Sequence, residues 1–412
     1  MAIPVVISVR VRVAEHAWAE SFGPLDALPG RVHGEENETA RMIKEWDDRL
    51  GIPLSGSKVS SRLGSHEVGA VKEYANQIAS ESPAPAAPPP SVTTYAREHA
   101  DILDEIVTSV SHNEPPSWSL RTGGRVLGTP LGLFNLQKVL IAVALVRESA
   151  GNHSGAEEVL DAAWKLNTWL RERPEWFAQY GAIEAYRLHC TALRKSKVDP
   201  DRWLKRLREH DYRASLMNSL QVETWIRVQD VKENIYADEK YIAQATALSA
   251  ALGGDLYKSR PRWVILALTP IRWFDLPALI EGSRRMLVYA ASAPVTDGDS
   301  DDFAAAYDRG FSNWFYIPEA DLTSSNFASA FRRVDRAIAE GELTERVLMA
   351  KAGRKSNGGQ WPASISGFET SRIQNGRWTY ERTSHGISIR FNRELHWPGL
   401  LSDSAPLRYS AP

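Results

Sequence analysis

Apolar residues recur every three or four positions along most of this chain and switch to strict alternation only near its end. That change of period fixes a helical body with a small β-rich appendage. Val92, Tyr95, His99, Ile102, Ile106 and Val110 mark one face of a helix capped at Thr93 or Thr94. From Leu133 to Glu148 the apolar residues Leu136, Val139, Leu140, Val143, Ala144 and Leu145 wrap more than one face, which predicts a central helix. Ser154 with Glu157 reads as the capping box of the next helix. The hairpin so formed matches the tetratricopeptide pattern at Leu140, Val143, Ala144, Gly151, Ala156, Leu160 and Ala163, with no second copy at the roughly 34-residue period.

Further helices are predicted over 176–195, 200–208, 211–231, 239–252, 276–291 and 326–354, and Asp199-Pro200 supplies one of them with a cap and a first-turn proline. Trp378, Tyr380 and Arg382 alternate, as do Ile387, Ile389 and Phe391, so a β-hairpin turns at Ser384-His385-Gly386, with a second turn signal at Asn375-Gly376. The expected fold is therefore mainly α: an antiparallel helical-hairpin body, tetratricopeptide-like in part, with a small C-terminal β-hairpin element.

Ahead of the body, helices are expected over 14–20, 36–50 and 65–80, the second capped by Asn37 and buried through Ala40, Ile43, Trp46 and Leu50. Pro83, Pro85, Pro88, Pro89 and Pro90 form a stretch that cannot donate backbone hydrogen bonds. The organisation read from these signals is a mostly helical segment over 1–82, a Pro/Ala-rich linker over 83–91, a helical body over 92–355 and a β-rich element over 356–412. Ile7, Val9, Val11 and Val13 alternate, which fits a short strand, the start of a helix, or the stub of a removed anchor. This first stretch is too short to cross a bilayer, because Arg10 and Arg12 interrupt it and a span needs about 20 apolar residues.

A length of 412 residues, 43% hydrophobic and 24% charged, gives ordinary globular composition. The formal charge of −2 provides no overall attraction to nucleic acid, and none is expected as a partner. Cys190 is the only cysteine, so an internal disulfide and a multi-thiolate zinc site are both excluded.

Asp297, Asp299, Asp301 and Asp308 stand at positions 1, 3, 5 and 12 of a calcium loop. Asp302 occupies the position where the sharp turn wants glycine, and aspartate replaces the bidentate glutamate, so a solvated loop with a helix cap is the plainer reading. Gly123, Gly124 and Gly128 resemble a phosphate cradle without the lysine that should follow, and Thr129-Pro130 sits where the helix should start. His189 and Cys190 invite a cysteine-hydrolase reading, yet adjacent helical residues point about 100° apart. Basic residues from Arg194 to Arg213, with Trp203 among them, are interrupted by Asp199, Asp201, Glu209 and Asp211 and read as a solvated face. Among fourteen tryptophans, Trp361, Trp378 and Trp397 share the C-terminal element and are candidates for a binding surface, against a core-packing alternative.

Several strings carry a resemblance: Gly151-Asn-His-Ser-Gly-Ala156, Ala163-Trp-Lys-Leu-Asn167, Arg171-Glu-Arg-Pro-Glu175, Phe22-Gly-Pro-Leu-Asp-Ala-Leu-Pro29, Ala192-Leu-Arg-Lys195 and His210-Asp-Tyr-Arg213. With them the chain resembles an uncharacterised bacterial family of helical, membrane-anchored envelope proteins. The resemblance implies an extracytoplasmic envelope location and a single anchor before residue 1, which this chain lacks, through removal, a misassigned start or a soluble variant. It brings no activity. Gly359-Gln-Trp-Pro-Ala-Ser-Ile365, between a helix and the hairpin, is similar to the loop of pseudopilin-like domains, with Trp361 in place of the usual tyrosine.

The leading expectation is a non-enzymatic, envelope-associated interaction or scaffold protein with a protein partner. An all-helical hydrolase acting on envelope glycans or peptides, and a calcium-stabilised structural module, are the alternatives.

Overall fold

The computed structural model of the chain describes residues 2–27, 36–52, 66–78, 84–117, 128–234, 272–295, 318–384, 386–397, 404–405 and 407–412. The described helices are α1 (Ala2–Phe22), α2 (Glu38–Arg49), α3 (His66–Gln77), α4 (Pro90–Glu98), α5 (Ala100–His112), α6 (Gly128–Ser149), α7 (His153–Arg171), α8 (Trp176–Lys195), α9 (Pro200–Arg208), α10 (Tyr212–Asn234), α11 (Arg272–Ser292) and α12 (Pro318–Ser356). The fold is mainly α, with a small antiparallel sheet at the C-terminal end. No helix among the described residues is long and apolar enough to cross a membrane. The helix expected over 239–252 lies outside the described residues.

The amino-terminal alternation resolves as helix rather than strand. Val11, Ala14 and Trp18 recur at helical spacing on the buried side of α1, whereas Val9 and Val13 are exposed. The helix expected to start at Thr93 or Thr94 begins instead at Pro90, where a first-turn proline sacrifices no hydrogen bond. It is also two helices. At His99 the backbone leaves helical geometry, and the imidazole stacks on Tyr95 and places Nδ1 3.0 Å from the Tyr95 carbonyl. The Pro/Ala crossing is pinned to its surroundings: the Tyr74 hydroxyl donates to the Ala86 carbonyl at 2.7 Å and Lys195 Nζ to that of Ala84 at 3.2 Å.

Helix α6 starts at Gly128, so Thr129-Pro130 open it rather than disrupt it. Leu136, Val139, Leu140, Ile141, Val143, Ala144 and Leu145 are all buried, as a helix apolar on every side must be. The helix ends on Gly151 at φ +79°, where the Gly151 and Asn152 N–H groups return to the carbonyls of Glu148 and Arg147. The cap of α7 is Asn152 and not Ser154: the Asn152 side chain accepts from the Gly155 N–H at 3.0 Å, and Ser154 already lies within the helix.

One hydrophobic cluster runs from Val11 on α1 to Leu348 on α12, and a second gathers Leu343 and Val347 of α12 with Trp361, Phe368, Trp378, Ile389 and Trp397. Helix α12, 39 residues long, belongs to both. Beyond it come β1 (Trp378–Thr383), β2 (Gly386–Phe391), β3 (Leu395–His396), β4 (Ser404–Ala405) and β5 (Arg408–Ala411). Strands β1, β2 and β5 form an antiparallel sheet in that order, and β3 pairs with β4. The Asn375-Gly376 turn closes through a Gly376 N–H to Ile373 carbonyl bond of 2.9 Å.

Helices α8 and α12 meet closely at Gly341, where an added Cβ would stand 2.2 Å from the Tyr186 hydroxyl oxygen. Tyr186 is buried, so it has little room to retreat. Gly341→Ala is expected to destabilise the chain by about 1–3 kcal/mol, read as a lower urea midpoint, while Tyr186→Phe in the same background restores part of the loss by removing the clashing oxygen.

Candidate functional site

Consecutive stretches of α12 carry two buried carboxylates that face different parts of the molecule. Glu340 faces α8: its Oε1 accepts from Arg187 Nη2 at 2.8 Å, Arg187 Nε at 3.2 Å and Arg336 Nε at 3.0 Å. Burial alone would raise its carboxyl pKa, but Arg187 and Arg336 outweigh that and hold it below the ordinary value. Glu184 extends the array, accepting from Arg187 at 2.7 Å and from Arg333 at 2.8 Å. Arg194 lies within the field of Glu340 and donates to Thr344 Oγ1 at 2.8 Å and Thr191 Oγ1 at 3.0 Å.

Glu342 faces the C-terminal element. Its Oε2 accepts from the Trp378 indole at 2.9 Å and the Ser371 hydroxyl at 2.7 Å, and its Oε1 from the Arg372 backbone N–H at 2.6 Å and Arg372 Nε at 3.1 Å. Arg346 donates to the carbonyls of Phe368 and Thr370, so the loop ahead of β1 is tied to the helix at several points. Lys351 Nζ lies against the end of α8, donating to the carbonyls of Leu193, Arg194 and Ser196 at 3.1, 2.9 and 2.8 Å. The sheet therefore stands on a rigid base.

The three tryptophans proposed as a binding surface are part of that base instead. Trp378 and Trp397 are fully buried and Trp361 is 8% exposed. Trp378 packs edge-on against Phe391 at 4.9 Å, and Trp361 donates its indole N–H to the Pro412 carbonyl beneath the Arg354 guanidinium. Their rings fill the second core.

What the sheet does present is an edge. The Asn392 N–H donates to the Arg377 carbonyl, and the Phe391 N–H turns the other way, to Leu407 on the β5 side. Alternation then directs the backbone groups of Thr379, Glu381 and Thr383 toward β2, and those of Trp378, Tyr380 and Arg382 outward; the Glu369 carbonyl takes the Trp378 N–H at 3.0 Å, and no described strand lies beyond Tyr380 and Arg382. Thr379, Glu381, Arg382 and Thr383 are exposed, and so are Arg377 and Arg390 beside them. Among the described residues there is also an open groove of about 550 Å³ between Pro85, Pro88 and Thr93 on one side and Val146, Ser149 and Ala150 on the other.

The remaining candidates separate. Asp297, Asp299, Asp301 and Asp308 lie outside the described residues, as do Gly123 and Gly124. His189 is 1% exposed between Trp164 and Trp203, each about 5.1 Å away. Burial, with the Arg206 and Arg171 charges nearby, pushes its pKa down to about 3. Cys190 is a core residue whose thiol burial raises to about 12, far from a reactive thiolate. The basic run is a solvated face, as read, with Arg202, Lys205 and Arg208 exposed; ion pairs tie it down, Arg202 and Arg206 both reaching Asp161 at 2.5 Å and Arg208 reaching Glu345 at 3.0 Å.

Two outcomes follow. Glu342→Ala strands the buried Trp378 indole and Ser371 hydroxyl and is expected to cost about 3 kcal/mol, with residues 357–412 becoming the first target of limited proteolysis. His189 and His210 have native pKa values of about 3 and about 4, below the ordinary value near 6.5, chiefly through burial. Both stay neutral in the folded chain and gain protons on unfolding, so their contribution is intact above about pH 6.5 and is lost as pH falls toward 4. Urea midpoints measured from pH 7 to pH 5 should fall more steeply for the wild type than for the His189→Gln, His210→Gln pair. Comparison with known proteins gives no match to a family model, a curated protein or a solved structure.

Proposed function

We propose that this chain is a non-enzymatic interaction or scaffold protein that takes up an extended, acidic segment of a partner protein by strand addition at the open part of the β1 edge, beyond the Trp378 N–H that Glu369 holds. The outward N–H and C=O groups of Tyr380 and Arg382 carry this reading. Strand addition draws its affinity from main-chain hydrogen bonds, and a rigid edge loses little entropy in making them. Glu342, Arg346 and the buried tryptophans supply that rigidity.

Charge selects the occupant. Arg377, Arg382 and Arg390 are exposed at or beside the edge, against two exposed acids among the described residues there, Glu381, 3.9 Å from Arg390, and Glu369, whose carbonyl holds the Trp378 N–H. An acidic strand is complementary to this set, and a basic one is repelled. Envelope placement, and the tetratricopeptide likeness of α6 and α7, enter as parts of the same proposal, on the resemblance and the sequence pattern respectively.

The test uses labelled seven-residue peptides alternating valine with aspartate or with lysine, followed by fluorescence polarisation. The aspartate peptide is expected to bind at least tenfold more tightly, with salt weakening it. Arg382→Pro removes an outward N–H while leaving the β1–β2 ladder intact, as edge strands tolerate, and should abolish capture with the thermal transition unchanged. Binding of neither peptide, or capture that survives Arg382→Pro, would overturn the proposal.

A further inference from the structure

The seat of α2 contains an anomaly that the proposed binding edge does not use. Asp47 is completely buried on the face shared with Ile43, Trp46 and Leu50, and neither of its carboxyl oxygens has a hydrogen-bond partner among the described residues. Buried carboxylates are ordinarily paired or richly hydrogen-bonded, because an isolated charge in a low-dielectric interior is costly. Here the surroundings add to that cost. Asp47 occupies the last turn of α2, where the helix dipole presents its negative end. Its own carbonyl accepts from the Ile52 N–H at 2.7 Å as the helix closes over Gly51, which holds the turn in place.

We infer that Asp47 is a protonation latch: α2 stays seated while the Asp47 carboxyl keeps its proton, and releases from the helices beneath it when that proton passes to solvent. The groups around it all favour this behaviour. Asp48 is the neighbouring charge that acts on Asp47, and it is negative. From α4 comes the Tyr95 hydroxyl, which donates to the Leu50 carbonyl at 3.0 Å and so cannot serve the carboxylate. Glu67 of α3 adds a negative charge near Tyr95. Glu105 of α5 is engaged by Trp46 at 3.0 Å and Arg49 at 2.9 Å, on the same helix as Asp47. No lysine or arginine of α3, α4, α5 or α6 contributes to holding Asp47 ionised. Burial and Asp48 accordingly raise its pKa well above the ordinary carboxylate value.

The rest of α2 is built to open at one end. Its start is fastened by Asn37, which accepts from the Ser117 N–H at 2.9 Å and donates through Nδ2 to the Pro115 carbonyl at 2.9 Å. Its far end rests on Glu105, 42% exposed, and on the Tyr95 to Leu50 bond. Release at that end would expose Ile43, Trp46 and Leu50 as a contiguous apolar stripe while Asn37 keeps the helix attached.

The sign is fixed by linkage. The folded chain holds a proton that the unfolded chain gives up near pH 3.8, so the stabilisation is complete below that pH and is lost as pH rises through the raised native value. Hydrogen exchange of the full chain, followed by mass spectrometry from pH 5 to 8.5 and corrected for intrinsic rates, reads this directly. Protection of amides in residues 38–52 is expected to fall by up to tenfold per pH unit relative to those of α7 and α8. Asp47→Asn, and Asp47→Leu as a second variant that suits an apolar seat, should hold that ratio constant. Parallel pH profiles for α2 and α7–α8 in the wild type, or a slope that persists in both variants, would overturn the inference.

Discussion

The buried pairing of Glu340 and Glu342 is the constraint on which the rest of the molecule depends. The two carboxylates stand two residues apart on one helix, so they point to different sides, and each must be met by donors because a charge cannot be left bare in the interior. Arg187 and Arg336 meet the first, which binds α8 to α12. Trp378, Ser371 and Arg372 meet the second, which fixes the approach to β1. Gly341 between them lets Tyr186 come within a distance that any side chain would forbid. Body and sheet are thus joined through three consecutive residues.

That junction explains how the chain spends its charge. A sequence with 49 basic and 51 acidic residues has many ways to present a charged surface, yet Arg187 pairs with carboxylates, Arg194 with threonines, and Arg206 and Arg333 with ring faces within the fold. Two kinds of buried group respond to pH in opposite ways. Burial, with the Arg171 charge nearby, lowers the titration of His189 and His210, while burial and the Asp48 carboxylate raise that of Asp47. Acid therefore loosens the histidine-containing core, and alkali loosens α2. Burial drives both, and the charge type decides the direction.

Helix positions were legible because packing imposes a period that the sequence must obey: the stripe of Ala40, Ile43, Trp46 and Leu50 and the all-round apolarity of α6 both appear in the fold as read. Boundaries were less so. The alternating valines of α1 mimic a strand, but Val11, Ala14 and Trp18 supply a competing helical period that tertiary contact selects. Asn152 outranked Ser154 because it directly follows the Gly151 turn and reaches the Gly155 N–H, which starts the helix two residues before the capping box would. Glu340 reaches Arg187 across 153 positions, and no local pattern announces such a pair. Asp47 did leave a trace. It stands where an apolar residue belongs in the stripe of α2, and an acid at a core position is itself a signal.

The sheet edge poses the opposite problem, since it was visible as alternation but its role depends on what surrounds it. An exposed edge is ordinarily a hazard that short length and charge are used to suppress. Strand β1 has both, with six residues that include Glu381 and Arg382. Those charges repel an indiscriminate apolar strand and still leave the outward groups of Tyr380 and Arg382 available to one of matching charge. Rigidity decides between protection and recognition: an edge that could fray would gain nothing from discrimination, whereas one clamped through Glu342 can reject a mismatched strand without yielding to it. In the proposed recognition, the same carboxylate that closes the second core would give the edge its selectivity.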